Sequence, residues 1–192
     1  VVHEVIGSGG MGVVYQATDH VRNTDLLLKT LPRVSGEAVY RLKAEFRALA
    51  DLSHPNLVTL YDLAFADDVW FFTMEHVPGV DLRRYGRQHP EWDALRPVFS
   101  QLTAGIGVLH DAGLLHRDLK PTNVVVTPAG NVVIIDFGLA CELRTLESDA
   151  PLRDLRSGTP LYMAPEQIAG AKPSRATDWY ALGVMLYEVL CG

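Results

Sequence analysis

Cysteine is scarce in this sequence: its 192 residues include two, Cys141 and Cys191. Two cysteines cannot form the disulfide framework that stabilises small secreted domains, and neither stands at a metal-ligand spacing. A reducing compartment is therefore expected. We predict a cytoplasmic location, either for the chain itself or for the chain as the cytoplasmic domain of a larger, membrane-anchored protein.

Long hydrophobic runs and an excess of positive charge are also missing. The longest apolar stretch, Trp179 to Leu190, is too short to span a bilayer and contains Glu188. The start, Val1-Val2-His3-Glu4, has no basic region of the kind that opens a signal peptide. A net charge of −6 and a pI near 5.6 argue against nucleic acid or an anionic membrane as a partner, although a local basic groove stays open.

Hydrophobic residues make up 48% of the chain, enough for a sizeable core. Short apolar or alternating runs predict strands at Val2–Ile6, Val13–Thr18, Leu26–Thr30, Leu57–Leu63 and Val69–Glu75. Apolar residues at helical spacing predict helices over Arg41–Leu52 and Asp93–Ala112. The composition changes at the Pro78-Gly79 linker, so we predict an α+β fold whose strand-rich part comes first.

The most informative motif is His116-Arg117-Asp118-Leu119-Lys120-Pro121-Thr122-Asn123, followed by Asp136-Phe137-Gly138. Asp118 could accept a hydroxyl proton, Lys120 could neutralise a phosphoryl group, and Asn123 with Asp136 could hold a divalent metal. These are the groups that phosphoryl transfer needs. The motif resembles the eukaryotic-like (Hanks-type) serine/threonine protein kinases, and the run from Gly9 to Tyr15 looks like bacterial members of that family.

The resemblance implies a two-lobed protein-kinase fold over residues 1–192. Residues 1–74 would form an N-lobe with an antiparallel sheet and one helix, 75–80 a hinge, and 81–192 a mainly helical, incomplete C-lobe. In the family, further helices follow and supply an arginine that pairs with the residue corresponding to Glu166. We therefore expect the chain to be truncated at its C-terminal end, with an exposed apolar patch on the helix of Trp179–Leu190.

The glycine-rich run from Gly7 to Gly12 matches G-x-G-x-x-G, which by itself also fits a dinucleotide-binding turn. That turn opens a helix, whereas here the strand-like residues from Val13 to Ala17 follow. A glycine hairpin lying over ATP is favoured, since glycine permits close approach of the main chain to phosphates.

The resemblance also implies a nucleotide site for ATP with Mg²⁺, or Mn²⁺ instead. Lys29 would contact the phosphates and pair with Glu45. Leu27 stands where the family has a small residue that packs on adenine, a departure that bears on the shape of that pocket. Asp81 would bind ribose or cap the following helix.

Met74 matches the gatekeeper, and the main chain of Glu75 and Val77 would bond the adenine edge. The full predicted nucleotide set is Ile6, Gly7, Ser8, Gly9, Gly10, Met11, Gly12, Val14, Leu27, Lys29, Met74, Glu75, Val77, Asp81 and Val125.

The resemblance extends through Gly158 to Glu166, the end of the activation segment. Lys120 and Thr159 together are similar to the serine/threonine-specific subclass, in which Thr159 would position the substrate. The residues from Asp178 to Gly183 match the helix that anchors the catalytic loop, and His116 would pack against Phe137 rather than act as a base.

We also expect autophosphorylation, with a second copy as partner. The candidate sites are Thr145, Ser148 and Ser157, and the phosphate contacts are Arg117, Arg153 and Arg156.

We therefore interpret the chain as a serine/threonine protein kinase domain that transfers the ATP γ-phosphate to protein hydroxyls. Its predicted catalytic residues are Asp118, Lys120, Lys29 and Glu45, and its predicted metal ligands are Asn123 and Asp136. Two alternatives stay open at this point. A pseudokinase would usually lack one of these polar residues, and a small-molecule phosphotransferase would lack the peptide-docking match from Thr159 to Glu166.

Overall fold

The computed structural model describes residues 1–9, 12–31, 37–137 and 160–191. Its first part is an antiparallel five-stranded sheet in the order β1-β2-β3-β5-β4. The strands are β1 (Val2–Gly9), β2 (Gly12–Asp19), β3 (Thr24–Thr30), β4 (Leu60–Ala66) and β5 (Val69–Glu75). These strands overlap the five predicted from alternation.

One helix, α1 (Glu37–Ala50), packs against this sheet. Leu42, Phe46 and Leu49 recur at helical spacing and are at most 8% exposed, so one face of α1 is buried. The Phe46 ring lies 6.2 Å from the Phe72 ring of β5. The helix begins four residues before the predicted Arg41 and ends two residues before Leu52.

The second part is mainly helical. Its helices are α2 (Leu82–Gln88), α3 (Trp92–Asp111), α4 (Pro165–Ile168) and α5 (Arg175–Cys191). The α3 helix agrees with the predicted one to within a residue at each end. Its core residues Val98, Leu102, Ile106 and Leu109 are no more than 2% exposed. On α5, Ala181 and Met185 are buried, whereas Trp179, Tyr187 and Leu190 are 39–70% exposed.

A small antiparallel sheet, not predicted from the sequence, lies beside these helices. Its strands are β6 (Val80–Asp81), β7 (Val124–Val126) and β8 (Val132–Ile134). The predicted strand at Leu57–Leu63 was wrong at its start, because Leu57 instead makes an isolated parallel bridge to Ile134. Asn56 explains the difference: its Nδ2 donates to the Val132 carbonyl at 2.7 Å and its own carbonyl accepts from the Ile134 amide at 2.9 Å.

The chain divides into two compact units. The first comprises Val1–Ser53 and Val58–His76, and the second comprises His54–Leu57 with the described residues from Val77 onward. The α+β organisation is thus confirmed, while the lobe and hinge boundaries given above stay a prediction. None of the described helices is long and apolar enough to cross a membrane.

Candidate active site

The glycine-rich run forms a hairpin. Gly9 pairs with Gly12, and the chain continues directly into β2, so no helix follows the glycines. Gly12 has φ +117°, and a Cβ there would lie 1.9 Å from the Thr30 carbonyl oxygen. Thr30 Oγ1 also accepts from the Val13 amide at 2.9 Å. Glycine at position 12 is therefore required by the close approach of β2 to β3.

Gly7 contrasts with Gly12. A Cβ at Gly7 would meet nothing within 4 Å, so packing of the chain does not demand glycine there. Ile6 is 49% exposed and Ser8 is also exposed. The main chain around Gly7 is thus open to approach, which suits a loop that receives phosphate oxygens. Gly10 and Met11 lie outside the described residues.

Lys29 is 3% exposed on β3, opposite Val14 of β2 and Phe72 of β5. A buried lysine needs an anionic or strongly polar partner, because its charge is costly to remove from water. Phe72 packs against Phe46, the neighbour of half-buried Glu45 on α1. This arrangement puts the helix segment of Glu45 over the strand pair that carries Lys29. Their ion pair stays a prediction.

Leu27 and Met74 lie directly opposite each other on β3 and β5, on the sheet face that also carries Lys29. Met74 is 3% exposed, and Leu27 is half-buried. The Glu75 amide already donates to the Thr59 carbonyl at 2.9 Å. Any contact of Glu75 with an adenine edge would therefore use another main-chain group.

Asp81 caps α2: its Oδ1 accepts from the Arg84 amide at 2.9 Å. Of the two roles predicted for Asp81, the structure shows the helix cap. The ribose contact stays a prediction. Asp81 also pairs with Val125 across β6 and β7. Since the flanking Val124 and Val126 are buried, Asp81 and half-buried Val125 share the opposite face of the small sheet. Val77, the first residue of the second unit's main segment, is also half-buried.

The catalytic-loop residues converge on Asp118. Lys120 Nζ lies 2.7 Å from Asp118 Oδ2, with both side chains less than a fifth exposed. Asn123, 4% exposed, donates from Nδ2 to the Asp118 carbonyl at 2.9 Å. The Ile135 amide donates to the Asn123 carbonyl at 2.9 Å, which ties the loop to the chain just before Asp136. A carboxylate beside a lysine and an amide is the arrangement that orients a hydroxyl and steadies charge.

Arg117, between His116 and Asp118, has φ +67°, an unusual value for a residue with a side chain. The Asp118 amide donates to the His116 carbonyl across this turn at 2.9 Å. Such backbone persists only where neighbours over-determine it. Here the Arg117 amide donates to Asp178 Oδ1 at 2.8 Å, and the Arg117 carbonyl accepts from Gln167 Nε2 at 3.2 Å.

Asp178 of α5, 1% exposed, supports this loop. Its Oδ2 accepts from the His116 amide at 2.9 Å and faces His110 Nε2 at the same distance. The residues from Asp178 to Gly183 were predicted to belong to the helix that anchors the catalytic loop, and the contacts of Asp178 agree. The part of His110 was missed, although the signal was present: His110 continues the buried face of α3 four residues after Ile106, where a polar side chain needs a buried partner.

His116 is fully buried, with its ring 5.9 Å from the Phe137 ring. Nε2 lies 3.3 Å from the Ile135 carbonyl, and Nδ1 has no hydrogen-bond partner among the described residues. Burial lowers the pKa of His116 below its usual value, since nearby carboxylates such as Asp178 compensate only in part. His116 is therefore a neutral residue that packs against Phe137, as predicted.

Asn123 and Asp136 offer the donor types that a hard divalent cation prefers. The Asn123 amide nitrogen faces Asp118, which leaves its oxygen as the ligating end. Asp136 follows β8 at φ +60°, another left-handed residue. The described residues contain no cluster of three or more His, Cys, Asp and Glu side chains that could hold a metal by themselves. Magnesium needs no such cluster when one or two protein oxygens are combined with substrate phosphates, so the donor set fits.

The predicted phosphorylation sites, together with Thr159, Arg153 and Arg156, lie outside the described residues, as does Gly138. The described residues resume at Pro160. Glu166 accepts from the Thr177 hydroxyl at 3.1 Å, so this carboxylate has a neutral hydrogen-bond partner on α5.

Comparison with known proteins identifies the family. The model of the protein kinase domain matches residues 1–192. Serine/threonine-protein kinase PrkC of Bacillus subtilis is 35% identical over 98% of the chain, and serine/threonine-protein kinase pkn3 of Myxococcus xanthus is 37% identical over all of it. The chain spans 30% and 37% of these two relatives. A solved structure titled "PpkA-294 apo form" superposes with a TM-score of 0.77 at 26% identity, covering 98% of this chain and 74% of that one.

The fold, the loop around Asp118 and these relatives all indicate a protein kinase, so the predicted protein-kinase fold is confirmed. A kinase of this family uses ATP and a divalent metal. The chain belongs to the protein kinase domain family, in its serine/threonine class.

Proposed function

We propose that this chain transfers the γ-phosphoryl group of ATP to serine or threonine hydroxyls of protein substrates, with Mg²⁺ as the metal. The observation that carries the proposal is the contact of Asp118 with Lys120 in a loop fixed by buried Asp178. A carboxylate held in this way can orient a hydroxyl, and the neighbouring ammonium group can balance the negative charge of a phosphoryl group.

Asp118 orients the substrate hydroxyl and accepts its proton. The hydroxyl oxygen forms the new bond to the γ-phosphorus while the bond to the β–γ bridging oxygen breaks, and ADP leaves with that electron pair. Lys120 would stabilise the transferring group, and Lys29 the remaining phosphates. Most of the rate enhancement then comes from positioning and electrostatics rather than from covalent catalysis.

The metal, when bound, neutralises charge on the phosphate oxygens. Asn123 and Asp136 are the proposed ligands, and Mn²⁺ is an alternative with similar ligand preferences. Glu45 would orient Lys29. We further propose a cytoplasmic location, supported by the need for ATP, and self-association during autophosphorylation, supported by the three candidate hydroxyl residues before Thr159.

The test is Asp118→Asn in the full-length protein. The amide keeps the size of the side chain but cannot accept the proton, so transfer to a generic protein substrate should fall about 10²–10⁴-fold. ATP binding, measured by calorimetry, should stay within twofold. Asp111→Asn, at the exposed carboxylate of the last residue of α3, is the matched control. Undiminished transfer by Asp118→Asn would refute the assigned role, and a wild-type protein that binds ATP without transferring it would favour the pseudokinase alternative.

A further inference from the structure

One threonine hydroxyl binds both main-chain polar groups of a residue at the base of the glycine hairpin. The paired residues of β2 and β3 end with Val14 opposite Lys29. Beyond that pair, Thr30 Oγ1 accepts from the Val13 amide at 2.9 Å and donates to the Val13 carbonyl at 3.2 Å. A side chain therefore takes the place of the next pair of main-chain hydrogen bonds between the two strands. Both residues are half-buried, so water compensates only in part if the hydroxyl is removed.

Thr30 is itself held firmly by the centre of the sheet. It lies opposite Phe71 of β5, and its main chain continues from buried Lys29. The next residue, Leu31, is 5% exposed and donates its amide to the Trp70 carbonyl at 2.7 Å. Threonine is also β-branched, which restricts its χ1 angle. Because β5 fixes the main chain on both sides of Thr30, the hydroxyl is presented toward β2 from a strand that is fixed in place.

The contact holds the hairpin next to the strand that carries Lys29. Gly9 pairs with Gly12, and Gly12 immediately precedes Val13. The Thr30 carbonyl oxygen lies so close to Gly12 that a Cβ there would come within 1.9 Å of it. Thr30 is thus in contact with two successive residues at which the hairpin joins β2. Movement of the hairpin away from β3 would break both hydrogen bonds of the Thr30 hydroxyl.

We propose that Thr30 is a positioning residue for ATP, which holds the base of the glycine hairpin beside Lys29 by binding Val13. The inference rests on the proposed function, because the hairpin and Lys29 are the predicted contacts of the ATP phosphates. Thr30 acts through Val13 rather than on the nucleotide. Its hydroxyl should therefore govern the affinity for the phosphate-bearing part of the nucleotide and leave the KM for the protein substrate unchanged.

The test removes the hydroxyl and keeps the shape of the side chain. Thr30→Val is nearly isosteric and suits a strand, so the protein should still fold. The Kd for ATP, measured by calorimetry on the full-length protein, should rise about five- to tenfold, as expected for the loss of one or two hydrogen bonds. The Kd for adenosine, which has no phosphates, should stay within twofold. Thr30→Ser restores the hydroxyl and should bind ATP as wild type does.

Thr24→Val is the matched control, since Thr24 is half-buried at the other end of β3 and its hydroxyl donates to the carbonyl of the adjacent Asp25 at 3.4 Å. It should bind both ligands as wild type does. Thr30→Ala removes the same two hydrogen bonds without adding bulk, and it decides the matter if Thr30→Val does not fold. An ATP Kd unchanged by the loss of the hydroxyl would overturn the proposal. Equal losses of ATP and adenosine affinity would also overturn it, because they would indicate general damage to the fold rather than displacement of the hairpin.

Hydrogen exchange separates this inference from the proposed function. The Val13 amide should exchange faster in Thr30→Val than in wild type and at the wild-type rate in Thr30→Ser, and this measurement needs neither nucleotide nor transfer. Faster exchange together with weaker ATP binding, in a protein that transfers no phosphate, would contradict the proposed function and support the positioning role. Unchanged exchange of the Val13 amide would overturn the positioning role whether or not the protein is active.

Discussion

The glycine hairpin of the first unit and the catalytic loop of the second both have proposed roles in phosphoryl transfer, yet they are stabilised in opposite ways. The hairpin depends on the absence of a side chain at Gly12, where there is no room for a Cβ, whereas Gly7 has free space around it. The catalytic loop depends on side chains that are buried and polar. Asp178 alone accepts from two of its main-chain amides.

The contrast shows which substitutions each region should tolerate. A β-hairpin ladder survives most changes that leave the main chain free to pair, so few hairpin positions should matter for folding. A left-handed turn at Arg117 has no such redundancy, because its conformation is unfavourable without the groups that hold it. Stability should therefore respond sharply to single polar residues in the second unit.

The largest effect is expected from Asp178→Ala. This change leaves the amides of His116 and Arg117 without their acceptor in a buried site, so the free energy of unfolding should fall by about 3–5 kcal/mol. Urea denaturation measures the loss, and Asp111→Ala at an exposed carboxylate is the control. An Asp178→Ala protein as stable as that control would contradict the view that buried polar side chains stabilise the catalytic loop.

Gly12→Ala should rank second. The new methyl group would collide with the Thr30 carbonyl, and φ +117° is unfavourable for alanine, so we expect destabilisation of about 1–3 kcal/mol. The Tm of the variant in thermal unfolding measures this loss of stability. A wild-type Tm would mean that the hairpin moves away from β3 without penalty.

The third prediction concerns His116, whose folded-state pKa lies below its unfolded value of about 6.5. The folded state then binds fewer protons than the unfolded state between these two values. The stability that neutral His116 provides is complete above pH 6.5 and is lost as pH falls to the folded-state pKa, with a slope of at most about 1.4 kcal/mol per pH unit. Urea titrations from pH 7.5 to 5 should show this slope in wild type and in His20→Phe, at an exposed histidine, but a smaller one in His116→Phe. Equal slopes in all three proteins would assign the pH dependence to other groups.

Gly7→Ala should have the smallest effect on folding. Free space surrounds the position, so the free energy of unfolding should change by no more than about 0.5 kcal/mol. ATP affinity should nevertheless fall several-fold, because the methyl group would stand where phosphate oxygens approach. Calorimetry with ATP, alongside urea denaturation, tests both halves. Equal losses of stability in Gly7→Ala and Gly12→Ala would erase the distinction between the two glycines.

The sequence allowed the fold and most of the catalytic loop to be predicted, because motif residues such as Asp118 and Asn123 are close together along the chain. Helix α3 was predicted well because Val98, Leu102, Ile106 and Leu109 mark one continuous face. The start of β4 was not, because an apolar run at Leu57 looks the same whether it pairs in one sheet or bridges to Ile134 in another part of the chain.

Contacts between distant residues could not be read from local patterns. Arg83 of α2, Tyr162 and Glu188 of α5 form a hydrogen-bonded cluster whose members lie up to 105 residues apart. In the sequence, each of these residues looks like an ordinary surface side chain. His110 differs, because its place on the buried face of α3 signalled that it needs a buried partner, but nothing in the sequence identified that partner as Asp178, 68 residues later. The identity of such partners is specified by the tertiary fold, so neither propensity nor periodicity reveals it.

Asp178 also has a consequence for the order in which the molecule is made. The His116 and Arg117 amides receive their acceptor from 62 and 61 residues further along the chain. At a synthesis rate of about 5–20 residues per second, the growing polypeptide carries a complete His116-Arg117-Asp118 motif for several seconds before α5 exists. During that time the left-handed turn at Arg117 has no acceptor to hold it. The nascent chain therefore acquires the fixed geometry of this loop only after α5 emerges, so the proposed phosphoryl transfer would have to wait for that helix.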